Sequence, residues 1–215
     1  CALPIYGTPH DLVQGIIAGG EDAMFDAVEF VEDDEQAGAD DLAARGLTAQ
    51  DAVVGIAASG RTPYVLGALR HARATGAVTV GVSNNAPAPV LDAADIAIAV
   101  VTGPEAITGS TRMKAGTAQK LVLNMISTGA MIKLGKVYGN LMVDVQARNE
   151  KLLLRARRIV MQVGRVDDAQ AAALLALAQN DVKTAIVMAR TGLTAAEARA
   201  RLAAADGFLR RVIDE

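Results

Sequence analysis

The chain has 215 residues, 52% of them apolar, which is enough for one full α/β domain and a smaller unit. A formal charge of -3 and a sequence pI near 5.5 argue against a nucleic-acid or membrane-surface partner, since both select basic patches. One cysteine (Cys1) and two histidines exclude an internal disulfide framework and the usual zinc site, and 3% aromatics weigh against a stacking platform.

The opening CALPIYGTPH shows no charged and apolar leader and no initiator Met, so Cys1 reads as an interior residue. The apolar stretches are broken by Lys, Asn or Gly, which predicts no transmembrane span. Thr8-Pro9-His10-Asp11 reads as a helix start, followed by the apolar run Leu12 to Ala18 and a stop at Gly19-Gly20. A second helix is expected with Met24, Ala27, Val28 and Val31 on one face and Asp22, Asp26, Glu29 and Asp33 on the other. Asp40 to Arg45 reads as a short helix closed by Gly46.

An alternation typical of parallel α/β units follows. Ala52 to Ala57 reads as a buried strand, Ala58 to Thr62 as a tight loop, and Pro63 to about Thr75 as a helix stopped by Gly76. Val78 to Val82 is a second strand with the loop Ser83 to Pro87, and Ile96 to Val101 a third. Thr117 to about Tyr138 reads as a long apolar helix. From Asn140 onward no further strand is expected: Asn149 to Gln162, Asp167 to Ala178, Val182 to Ala189 and Ala195 to Ala204 read as a small helical bundle. The cations between Lys151 and Arg158 fall at helical spacing and read as a solvated face.

Four constellations carry candidate chemistry. In Gly55 to Pro63 a strand ends, a small-residue loop turns and a helix begins. Backbone N–H groups at a helix start favour an anion, and small residues let it approach. Ser59, Gly60, Arg61 and Thr62 would form this phosphate loop; there is no Walker lysine, and the plainer reading is a βα turn whose Ser and Thr cap the helix. Ser83 and Asn84 end the next strand on the same sheet edge, where open parallel sheets collect ligands, although Asn also suits a turn. Beyond the third strand, Glu105, Ser110, Thr111 and Lys114 crowd hydroxyls, a carboxylate and a cation ahead of an apolar helix. Last, Glu29 to Glu35 holds five carboxylates in seven positions. This is either a solvated acidic helix end or, if one carboxyl is buried, a source of general acid or base.

These residues fall into longer runs. Val13 to Gly20, GIAASGRTPYV from Gly55, GPEAITGSTRMKAGTAQK from Gly103, LVLNMISTGAMIKLGKVYGNLMVDV from Leu121 and the segment Asn149 to Ala156 resemble N-acetylmuramic acid 6-phosphate etherases. The resemblance spans nearly the whole chain, and part of the GSTRMKAGTAQ run is shared with the glucokinase regulatory protein. It implies an α/β fold of the SIS type, a parallel sheet flanked by helices with a C-terminal helical module, its first βα unit missing here. Domains are expected over 1–140 (sugar-phosphate binding) and 141–215 (helical). It also implies a cytoplasmic homodimer acting on a small-molecule sugar phosphate in peptidoglycan recycling, with no metal or organic cofactor, nucleic acid or membrane partner.

The implied reaction releases D-lactate from C3 of the sugar by elimination and hydration, leaving N-acetylglucosamine 6-phosphate. Of the family's two glutamates, one matches Glu32 as the C2 base, with Glu29 as its nearest rival. The other precedes a Tyr-Gly-Thr that matches Tyr6-Gly7-Thr8 and falls at Cys1 or just ahead of it, so the sequence does not contain it. The resemblance therefore implies little or no etherase activity for this chain, an expectation that D-lactate release at the family's rate would refute. A non-catalytic sugar-phosphate regulator of the same fold, and an aldose–ketose isomerase, are the alternatives; Glu32 in its family context favours the enzyme over the first, and the GSTRMKAGTAQ run and the helical tail weigh against the second.

Overall fold

A computed structural model describes residues 6–26, 28–146 and 149–214; Cys1 and Ala27 lie outside them. Contacts group the residues into two compact units. One is Gly15–Asn124; the other joins Met125–Glu215 to the N-terminal stretch that ends at Gln14.

The first unit opens with two 3-10 turns, Asp22–Met24 and Val31–Asp33, before helix α1 (Glu35–Ala44). Strand β1 (Ala52–Ala57) leads to helix α2 (Pro63–Thr75), strand β2 (Val78–Ser83), the single turn α3 (Pro89–Asp92) and strand β3 (Ile96–Ala99). The three strands form a parallel sheet in the order β1-β2-β3, with Gly55 opposite Gly81 and Gly81 opposite Ala97. Parallel sheets are covered on both faces, which explains the near-continuous Val, Ile and Ala content of the strands. Ala57, Leu69 and Val90 pack on one face with α2 and α3. Val80 and Val82 meet Val122 of the next helix on the other. Glycine in the strands allows this closeness: a Cβ on Gly81 would stand 2.2 Å from the Val90 carbonyl oxygen. Thr79, fully buried, gives its N–H and Oγ1 to Asp95 at 3.0 and 2.7 Å, tying the start of β2 to the start of β3.

Helix α4 (Lys114–Lys133) begins in the first unit and ends in the second. Gly135 stops it in a left-handed conformation (φ 68°), and a two-residue turn at Gly139-Asn140 joins the short antiparallel strands β4 (Val137–Tyr138) and β5 (Leu141–Met142). Helices α5 (Glu150–Gly164), α6 (Asp168–Leu177), α7 (Val182–Thr191), α8 (Ala195–Ala204) and the turn α9 (Arg210–Ile213) follow. Their core includes Val160, Ala171, Ile186 and Leu209. Within it Asp144 meets both Lys136 (2.6 Å) and Lys183 (2.9 Å), and Lys183 also donates to the Gly207 carbonyl. No single helix among the described residues is long and apolar enough to cross a membrane.

The sequence expectations need three corrections. No helix runs over Leu12 to Ala18: Leu12, Val13 and Ile17 stay exposed, and a short helix without packing is marginal in water. The expected helix with Met24, Val28 and Val31 on one face is reduced to the two 3-10 turns. Its opposite face would have stacked like charges at helical spacing, and Phe30 breaks it in a left-handed conformation (φ 63°). Third, Asn140 is followed by a strand, and α4 ends five residues earlier than expected so that the hairpin can form.

Candidate functional site

Every described candidate residue lies in the first unit. The strand ends bring two of the loops together. Asn84 N–H and Asn85 Nδ2 both donate to the Ala58 carbonyl, at 3.1 and 2.9 Å, and Val90 N–H donates to the Gly60 carbonyl at 3.0 Å. Gly60 is buried and left-handed (φ 69°); a Cβ there would stand 2.4 Å from Ala88 Cβ and 2.6 Å from Ser83 Oγ. Only glycine fits, because both the dihedral and the space exclude a side chain.

The start of α2 is the distinctive part. Thr62 is its N-cap residue by position, yet its side chain makes no capping bond. Pro63 at the first helical position removes one donor, and among the described residues the remaining first-turn amides have no side-chain acceptor. The single turns α3 and α9 also lack a side-chain cap, but among the longer helices Asp34, Asn149, Asp167, Asp181 and Thr194 cap α1, α5, α6, α7 and α8. The plainer reading, in which the loop hydroxyls serve as ordinary caps, therefore fails for Thr62. Ser59 Oγ accepts from Arg61 N–H at 3.3 Å, and both residues are exposed. This is a loop with hydroxyls, a cation and a positive helix end presented outward.

Ser83 and Asn84 behave differently. They are 0% and 6% exposed, and their polar atoms are engaged. Ser83 Oγ accepts from Asn85 N–H at 3.0 Å. Asn84 Nδ2 donates to the Val100 carbonyl at 3.0 Å, and its Oδ1 accepts from Gln119 Nε2 at 2.8 Å. In this conformation Ser83 and Asn84 brace the loop floor, and Asn84 pins α4 to the sheet edge. Gln119 was missed as a partner because 35 residues separate it from Asn84.

The third cluster also has a bracing side. The Glu105 carboxylate accepts from Ala115 N–H (3.0 Å) and Lys114 N–H (3.1 Å), and so caps α4 from nine residues upstream. Lys114 Nζ donates to the Pro104 carbonyl at 2.8 Å. Ser110 is half-buried and Thr111 exposed, with the Thr111 carbonyl taking Gly116 N–H at 2.9 Å. The amides of Ala115 and Lys114 hold the Glu105 carboxyl below its ordinary value of 4.5. A depressed carboxyl contributes stability that is present above the unfolded value and is lost as pH falls through the folded one. Glu105→Gln should therefore be less stable than the parent at pH 7 and lose less on acidification below about pH 4.5. Urea midpoints from pH 7 to pH 3 measure this, and parallel curves would show that the cap contributes nothing.

Glu32 lies in the 3-10 turn Val31–Asp33, exposed, and that turn packs against α2. Glu35, three residues after it, pairs with Arg70, so the acidic stretch meets α2 near Arg70 and not at its start. Two residues after Glu32, Asp34 caps α1 by accepting Ala37 N–H at 3.0 Å. Helix α1 lies directly on α2. A Cβ on Gly38 would be 2.0 Å from the Tyr64 carbonyl oxygen, and one on Gly67 would be 1.9 Å from that of Glu35. The Tyr64 hydroxyl donates to Asp41, and Arg70 pairs with Glu35. Sequence reading missed this crossing; its signal was glycine inside two helical patterns.

Comparison with known proteins agrees with this architecture. The family model of the glucokinase regulatory protein N-terminal SIS domain matches residues 3–73. N-acetylmuramic acid 6-phosphate etherases of Salmonella typhimurium (strain LT2) and Salmonella paratyphi A (strain ATCC 9150) are each 58% identical over 211 residues, covering 98% of this chain and 71% of theirs. That of Cronobacter sakazakii is 58% identical over 210 residues, with the same coverage. At that identity over almost its whole length, on an SIS-type parallel sheet, the chain belongs to the N-acetylmuramic acid 6-phosphate etherase family.

Proposed function

We propose that this protein is a carbon–oxygen lyase that cleaves the D-lactyl ether of N-acetylmuramic acid 6-phosphate. The observation that carries the reading is the 58% identity to etherases across 98% of the chain. The uncapped start of α2 supports it, because a dianionic phosphate suits unpaired helix amides backed by Ser59, Gly60, Arg61 and Thr62. Ser110, Thr111 and Lys114 extend the polar edge, while Ser83, Asn84 and Glu105 hold its shape.

An alkoxide is a poor leaving group, so the chemistry needs an acidic proton beside it. Opening of the sugar ring exposes an aldehyde at C1 and makes the C2 proton acidic. Glu32 takes that proton, the C2 electron pair forms the C2–C3 double bond, and the C3–O bond breaks. The departing oxygen takes a proton as lactate leaves. Water then adds across the double bond at C3, and C2 regains a proton, giving N-acetylglucosamine 6-phosphate.

The division into a sugar-phosphate domain over 1–140 and a helical region over 141–215 belongs to the same reading. So do a cytoplasmic location, a role in peptidoglycan recycling and a homodimer. Strongly exposed Phe25, Phe30, Ile107 and Met113 support self-association, since large apolar side chains on a surface favour an interface. The test is incubation of the full-length polypeptide with N-acetylmuramic acid 6-phosphate and enzymatic assay of D-lactate. Release is expected where the polypeptide also carries the family's second glutamate. Tight binding without release would replace the enzyme with a sugar-phosphate regulator.

A further inference from the structure

We propose that in the homodimer the acidic turn Asp22–Met24 and the adjoining Phe25 of one copy seat in the basic groove of α5 on the other, against Lys151, Arg155 and Arg158. This rests on the homodimer reading, which it deepens by naming the two faces that meet. It does not depend on the etherase chemistry.

Charge is divided unevenly along the chain. The first 44 residues hold eleven of the 24 carboxylates and none of the 21 lysines and arginines. An acidic end of this kind calls for a basic surface as its complement. Glu21, Asp22 and Asp26 flank the 3-10 turn Asp22–Met24, are exposed, and form no ion pair among the described residues. Beside them Met24 and Phe25 are 60% and 85% exposed. A phenyl ring left in water is a cost that a partner surface would remove.

The complement lies on α5. Lys151, Arg155 and Arg158 stand four and three residues apart, so one face of the helix carries all three within about 10 Å of its length. With Glu150 and the exposed Leu154 they line a groove of about 370 Å³. Three cations against one carboxylate leave it positive. None of the three forms an ion pair among the described residues, whereas Arg157, which lies outside the groove, is matched by Asp168. Charge alone would suit any anion; the apolar groups make the choice narrower. Phe25 can bury its ring against Leu154 and beneath a guanidinium, while Asp22 and Asp26 meet the remaining cations. Aromatic residues, Met and Arg are the types that interface cores select. A two-fold axis makes the contact occur twice, each copy giving its turn and receiving the other's.

Sedimentation of the full chain over a range of concentrations measures the dimer dissociation constant. Lys151→Glu, Arg155→Glu and Arg158→Glu together should raise it about a hundredfold, and so should Glu21→Lys, Asp22→Lys and Asp26→Lys together. Phe25→Ala should raise it about tenfold. An equimolar mixture of the two charge-reversed proteins should associate about as tightly as the parent, because both two-fold contacts again join opposite signs. That recovery also shows that both variants are folded. A dimer that either reversal leaves intact, or a mixture that stays monomeric, would overturn the docking and leave the homodimer standing. So would a fall in Tm with association unchanged, the result of the two segments meeting within one chain. Weaker binding of inorganic phosphate in the α5 variant, with association unchanged, would make the groove an anion site instead. A parent that is monomeric throughout would remove the homodimer and the docking together.

Discussion

Replacing Glu32 with Gln should abolish D-lactate release and C2 deuterium exchange together, each by about a thousandfold, with little change in sugar-phosphate affinity. The magnitude is that of a lost general base, which contributes about 10²–10⁴ in rate. The substitution keeps the size of the side chain and removes only its basicity. Glu32 is exposed and, among the described residues, makes no hydrogen bond, so the change should not disturb the fold. The informative comparison is Glu29→Gln. Glu29 is three residues earlier in the same acidic stretch, is equally exposed, and lies outside the turn that packs on α2. It should keep nearly full exchange. A Glu32→Gln protein that still exchanges the C2 proton at the parent rate would remove this residue from the base role. The reverse pattern would move the role to Glu29.

Gly67→Ala should be the most damaging single methyl in the first unit. The new Cβ would stand 1.9 Å from the Glu35 carbonyl oxygen, a backbone atom that no rotamer change can move aside. Overpacking of a well-filled contact costs about 1–3 kcal/mol, and here relief requires the two helices to separate. A loss of about 3 kcal/mol corresponds to a fall in Tm of roughly 6–12 °C for a chain of this size. Gly129→Ala is the counterpart. Gly129 is helical, has no atom within 4 Å of its would-be Cβ and has no positive φ. The same change there should raise stability by about 0.5–1 kcal/mol, because glycine in a helix carries an entropic penalty. Thermal melts of the two variants measure both effects, and a Gly67→Ala protein as stable as the parent would show that the crossing is looser than its geometry implies.

How much of this could be read from sequence depends on the range of the interaction. Ala52–Ala57, Pro63–Thr75 and Ala195–Ala204 fall where apolar runs and punctuation place them, since Pro63 and Gly76 act on their own neighbours. The small-residue loop between β1 and α2 is legible for the same reason. The stretch before α1 was misread because its apolar residues look periodic but stay exposed, so periodicity had no core to report. The hairpin after α4 escaped notice because each strand is two residues long; the Gly139-Asn140 pair was its only local sign. Partnerships across 23 residues (Asp41 with Tyr64) or 35 (Asn84 with Gln119) leave no trace in spacing. They also divide the candidate residues into those presented outward, such as Ser59 and Arg61, and those spent on bracing, such as Asn84 and Glu105, a division that residue type cannot show.

The open start of α2 makes apo stability and ligand affinity two views of one free energy. A helix end without a side-chain cap is a standing deficit in the empty protein. On the proposed reading a bound phosphate cancels that deficit, so part of its binding energy is stability withheld from the unliganded fold. A residue that closed the end from within, such as an aspartate in place of Thr62, would move that energy from the ligand to the fold. The protein would become sturdier and bind less well. On the proposed reading Thr62 leaves the end uncapped so that the phosphate can serve as the cap.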